Sequence, residues 1–192
     1  MSSSDLVRWG GLAGVVAGVT YLLTGIINLF APQSPVFISF SDYLIEILFV
    51  VGLLGTLGAI AGLHNLQRER YGRTGAAGSL TAFVGFGLLL VAAVATLLAG
   101  GEALDGFFPV GSLAALVGLA LLGSASLRAR VLPRWCGLVL IAGYPLTIVI
   151  DIATVGAGGI LLGIVWALVG YALLSNTAAS AQQPSRVRRA GG

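Results

Sequence analysis

Lysine is missing from this chain of 192 residues, and cysteine, histidine and methionine occur once each. The single thiol, Cys136, has no second cysteine for an intrachain disulfide or for dithiol redox chemistry. One cysteine and one histidine (His64) also leave a structural zinc site without its donors, and they exclude bis-histidine haem and multi-histidine metal centres. The absence of lysine excludes a retinal Schiff base and the lysine of a phosphate-binding loop. No Gly-x-Ser-x-Gly elbow is present. The sequence therefore assigns no catalytic residue, no cofactor and no metal, and classical enzyme chemistry is disfavoured.

Charge is scarce too. Only 9% of residues are charged, while 57% are hydrophobic. A water-soluble domain carries about 25% charged residues, so this chain has too little polar surface to cover a globule in water. A lipid bilayer removes that requirement, because lipid solvates apolar side chains. The ten basic residues, all arginine, outnumber the seven acids and give a net charge of +3. Basic chains can bind nucleic acid. Here the arginines flank apolar runs, which points to membrane topology and not to a nucleic-acid partner.

The apolar runs number six, at roughly 9–30, 43–63, 75–99, 107–127, 135–152 and 156–174, each near the ~20 residues that span about 30 Å of hydrocarbon. The first is longer than a signal-peptide core, and its exit, Phe30-Ala31-Pro32-Gln33, carries no small-x-small cleavage pattern. It reads as a retained helix. The predicted fold is all-α: an integral membrane bundle of six transmembrane helices over residues 9–174. Residues 1–8 form a short N-terminus. The Ser-, Ala-, Gln-, Pro- and Arg-rich tail, 175–192, reads as disordered from its composition.

Arginine placement orients this bundle. Arg8 precedes the first span. Arg68, Arg70 and Arg73 lie between the second and third, and Arg128, Arg130 and Arg134 between the fourth and fifth. Arg186, Arg188 and Arg189 follow the sixth. Alternating crossings put all of these on one surface, with Asp42, Glu46, Glu102, Asp105 and Asp151 toward the other. Because basic residues are retained inside, both termini are expected in the cytoplasm and the acids outside, in a multi-pass protein of the plasma membrane. Trp9, Tyr71 and Trp135 would anchor the inner interface, and Tyr43, Phe107 and Phe108 the outer one.

A short repeat accompanies the arginines. Arg8-Trp9-Gly10-Gly11-Leu12 opens the first span and Arg134-Trp135-Cys136-Gly137-Leu138 the fifth, with Arg73-Thr74-Gly75 a looser third copy. The pattern fits either three tandem hairpins or a generic inner-interface signature.

Small residues cluster by face. At about 100° per residue, Gly10, Gly14, Ala17, Gly18, Tyr21, Thr24, Gly25 and Asn28 share one side of the first span. Such a face lets helix backbones approach closely. Gly52, Gly55, Gly58 and Gly62 form a similar face on the second span, with Glu46 opposite it, and Gly159 and Gly163 supply a pair on the sixth. These faces could pack within the chain, against a second copy or against another membrane protein.

Polar residues within the spans are the candidate site. Tyr144, Thr147 and Asp151 stand at i, i+3 and i+7 on the fifth span, beside Pro145. Tyr21, Thr24 and Asn28 run outward along the first. Glu46 lies about one turn inside the outer end of the second. At similar depths, these seven residues would line an outward-facing polar cleft for a small solute or cation, since ionisable groups inside a membrane are costly and often functional. The alternative is that Glu46 and Asp151 merely reach headgroup water.

The stretch from Val131 to Gly143, with Leu132-Pro133-Arg134 leading into Trp135-Cys136-Gly137, resembles a loop-helix motif of bacterial polytopic membrane proteins of unknown function. That resemblance implies a bacterial inner-membrane protein of six or seven helices. It brings no activity and no site residue with it.

Overall fold

A computed structural model describes residues 3–70, 72–104, 106–154 and 156–181. Tyr71, Asp105 and the tail arginines Arg186, Arg188 and Arg189, which carry sequence expectations, lie outside the described residues. Among the described residues the chain folds into six helices: α1 (Ser3–Phe30), α2 (Phe40–Gln67), α3 (Gly72–Ala99), α4 (Phe107–Ala129), α5 (Arg134–Thr154) and α6 (Gly158–Ala181). Each is long and apolar enough to cross a membrane. The protein is thus an all-helical, multi-pass bundle suited to a lipid bilayer.

The helices begin and end beyond the apolar runs that announce them. α1 starts at Ser3, and Val7 already sits in the core. α6 continues to Ala181, into the stretch whose composition reads as a loose tail. Its polar residues there do not break the helix: Ser175 and Thr177 donate to the carbonyls of Ala172 and Leu174, and Asn176 Nδ2 donates to Val131 O at 3.3 Å. At 28 residues each, α1, α2 and α3 extend about 42 Å at 1.5 Å per residue, so they overshoot the hydrocarbon or tilt within it.

Local chemistry sets the boundaries. Ser39 caps α2 in a reciprocal capping box with Asp42, which satisfies backbone donors that no helical carbonyl can reach. α4 ends on Arg130, whose left-handed backbone (φ 52°) turns the chain. Pro133 then precedes α5, near a helix start where its missing N–H costs little. Pro145 lies inside α5.

Neighbours in sequence pack side by side around the bundle, and α6 returns to α1 to close the ring. The closest packing joins α1 to α6, α3 to α4 and α1 to α2. Thus the three sequential hairpins are not equivalent, because α6 packs more closely on α1 than on its own hairpin partner α5. Glycines lie at the α1 contacts. A Cβ on Gly10 would lie 2.6 Å from Gly62 Cα, and one on Gly170 would lie 2.6 Å from the Val15 nitrogen. Only a residue without a side chain allows backbones that close.

On α1 the small-residue face is inside: Gly10, Gly14, Ala17, Gly18, Tyr21, Thr24 and Gly25 are buried and Asn28 half-buried, whereas Val16, Val19, Leu23, Ile26 and Phe30 are exposed. The core is aromatic at mid-height. Phe86 meets Trp166 and Tyr144 edge-on, with ring centroids 5.9 and 5.7 Å apart. All seven described arginines are exposed.

Candidate functional site

A cavity of about 760 Å³ opens among the acid-bearing ends of the helices. Tyr21, Thr24 and Asn28 reach it from α1, Glu46 from α2, and Tyr144, Thr147 and Asp151 from α5. The seven residues singled out from sequence therefore border one space. Their roles within it differ.

Tyr21 and Tyr144 lie deepest and are almost fully buried. The Tyr21 hydroxyl pairs with Thr56 Oγ1 at 3.3 Å. Phe86 on α3 and Trp166 on α6 stand one turn farther toward the arginine-bearing end than the lining residues Leu89 and Leu162. Their buried rings lie in the core below the cavity without lining it. Farther toward that end, Ser126 Oγ donates to Gln67 Oε1 at 2.8 Å, joining α4 to α2.

Thr147 donates to Gly143 O at 2.9 Å, the backbone bond typical of a helical threonine, and leaves its oxygen free to accept. Asn28 Oδ1 accepts from the Gln33 N–H at 3.0 Å. Asp151 is exposed, and its Oδ1 accepts from the Gly158 N–H at 3.3 Å, so it tethers the start of α6. Thr24 is 7% exposed and Glu46 only 5%. Two buried oxygens, Thr24 Oγ1 and Glu46 Oε1, have no hydrogen-bond partner among the described residues.

The position of Glu46 needs more than the opposite-face argument from sequence. Opposite the α2 glycines is not lipid, because α2 is buried on more than one side. Glu46, Leu53, Ile60 and Gln67, spaced seven apart, are all buried, and the exposed strip is the narrow one of Tyr43, Ile47, Val51 and Leu54. The glycine pattern alone pointed elsewhere.

The loops complete the site, and sequence reasoning missed them. The α1–α2 loop folds over the cavity, contributing Gln33, Ser34, Pro35 and Phe37 to its lining. Asp42 organises this loop: its carboxylate accepts from the backbone N–H groups of Ser34, Ile38 and Ser39 and from Ser39 Oγ. The Ser-x-x-Asp spacing of that cap was the available signal. Gln33 Nε2 reaches Glu46 Oε2 at 3.2 Å. A bridge between Val36 and Gly101 ties this loop to the α3–α4 loop, reinforced by Phe37 N–H to Gly100 O (2.9 Å) and Glu102 N–H to Pro35 O (3.0 Å). Thr96 holds the second loop through both backbone groups of Ala103.

The charge of the lining is one-sided: among the described residues it holds Glu46, Glu102 and Asp151 and no arginine or histidine. Among the described residues no three histidine, cysteine or carboxylate side chains gather as a metal-binding group. Cys136 and Trp166, fully buried in the core, and His64, at the far end of α2, do not border the cavity. No family model, curated protein or solved structure matches this chain.

Proposed function

We propose that this protein binds a small solute in the cavity at its acid-bearing end, as a bacterial plasma-membrane transporter or sensor with both termini in the cytoplasm. The observation that carries this reading is the convergence of Tyr21, Thr24, Asn28, Glu46, Tyr144, Thr147 and Asp151 from α1, α2 and α5 on one space. Its volume falls in the range of small-molecule sites, about 300–1,000 Å³. Its composition fits as well: a mostly apolar wall with a few polar groups that fix orientation. The arginines at the opposite end support the orientation, because basic loops stay inside. The cavity then faces outward.

The function so proposed is binding, not catalysis. The rival role, a subunit that docks another membrane protein or a second copy through its glycine faces, is weakened by the packing. Those of α1 and α2 are occupied by α6 and by each other.

The test is reconstitution into proteoliposomes and measurement of solute flux or binding, comparing wild type with Asp151→Asn and with the cavity-filling Thr147→Phe. Loss with Thr147→Phe supports the cavity. Uptake or binding indifferent to both substitutions sinks the proposal.

A further inference from the structure

We infer that the solute of this cavity is a primary ammonium compound with an apolar body, its charged end received by Glu46. This rests on the binding role proposed above and adds the chemical class.

Three observations converge. First, the lining carries three carboxylates and no base among the described residues. An anionic solute would meet only repulsion, whereas a cation is attracted. Second, the Glu46 carboxylate is 5% exposed and only half satisfied: Gln33 Nε2 donates to Oε2 at 3.2 Å, while Oε1 has no donor. Thr24 Oγ1, on the facing helix α1, is likewise buried without a partner. A buried carboxylate oxygen left without a donor is unfavourable. An ammonium group offers three donors and no acceptor, which matches a carboxylate oxygen and a hydroxyl both able to accept. A donor on Oε1 would add the bond this carboxylate lacks, and a charged donor is stronger than the neutral Gln33 amide on Oε2.

Third, much of the wall is apolar and aromatic. Phe49, Leu89, Phe108, Ile148 and Leu162 line the same space as Glu46. A bare inorganic cation would leave this wall unused, and a divalent ion would call for about six or more oxygen ligands. No described cluster supplies them. An organic ammonium uses both parts: the charge at Glu46, and the body against Phe49 and Phe108, whose ring faces also attract cations.

The experiment uses the full chain in lipid nanodiscs, with empty nanodiscs as the partitioning blank. Binding is measured calorimetrically for 2-phenylethylammonium, neutral 2-phenylethanol and anionic 3-phenylpropionate, and for sodium and magnesium chloride alone. The expected result is that wild type binds the ammonium about tenfold tighter than the alcohol and the carboxylate least. Glu46→Gln should erase the ammonium preference yet still bind the alcohol, which shows the variant is folded. The wild-type charge series decides the matter even if that variant fails to fold. Equal binding of ammonium and alcohol, preference for the anion, a Glu46-dependent response to sodium or magnesium alone, or an ammonium preference that survives Glu46→Gln would overturn the ammonium assignment and leave the cavity reading standing. If none of the three organic probes binds wild type, the cavity reading falls with it.

Discussion

The side-chain amide of Gln33 donates to Glu46 Oε2 across 3.2 Å, joining the loop over the cavity to a carboxylate buried in its wall. One residue thus serves both the cover and the site. Replacing it by alanine removes the neutral donor and frees the loop from α2. Gln33→Ala should raise hydrogen-exchange rates across residues 33–38 and leave the helices unchanged. Unaltered exchange in the loop would mean that the contact does not hold it.

Asp42 carries the same loop from the other side. Its carboxylate accepts three backbone N–H groups and the Ser39 hydroxyl, and its own N–H closes the cap on Ser39 Oγ at 3.3 Å. Asp42→Ala should lower the thermal midpoint of the purified protein by several degrees. Asp42→Asn, which keeps acceptor capacity on one oxygen only, should fall between. A midpoint equal to wild type for the alanine variant would show that the cap is dispensable.

Glycine substitutions separate packing from open space. Gly10→Leu forces a side chain into the Gly62 backbone, and overpacking of this kind costs about 1–3 kcal/mol or more. Gly87 on α3 has nothing within 4 Å of where its Cβ would be. There alanine should stabilise, by about 0.5–1 kcal/mol. Unfolding in mixed micelles reads both, and a Gly10→Leu protein as stable as wild type would contradict the α1–α2 approach.

Gly156 sits at φ +100°, and a Cβ there would lie 3.0 Å from Asn28 Cγ. Gly156→Ala should therefore cost about 1–2 kcal/mol from backbone strain and also shift Asn28 in the cavity wall. Weaker solute binding with the fold retained is the expected result.

Orientation is checked by labelling. In a Cys136→Ala background, Ile38→Cys should react with a membrane-impermeant maleimide in intact cells. Ser185→Cys should react only after permeabilisation. Labelling of Ser185→Cys from outside would invert the proposed topology.

The six helices were legible because hydrophobic length is a one-dimensional property: a run of apolar residues long enough to cross lipid needs no knowledge of its neighbours. The α1 face was legible for a related reason, since its glycines and polar residues fall in one arc. Glu46 was harder to place. Its environment depends on how many helices α2 touches, and buried Leu53 and Ile60 reveal that only once α3 is in position. The loop residues Gln33 and Phe37 were least legible. Nothing in an irregular segment's composition says whether it points to water or folds back over a cavity. The end of α6 also escaped, because polar residues that look unlike a membrane span can still bond to their own helix.

The pairing of Val36 with Gly101 couples two hairpin tips from different parts of the chain. Neither tip can swing away alone without breaking that bridge and its flanking backbone bonds. Opening the cavity between these loops would therefore require both to move together, or the Phe37–Gly100 and Glu102–Pro35 backbone bonds to break, so a substitution far along the chain in one loop bears on the mobility of the other.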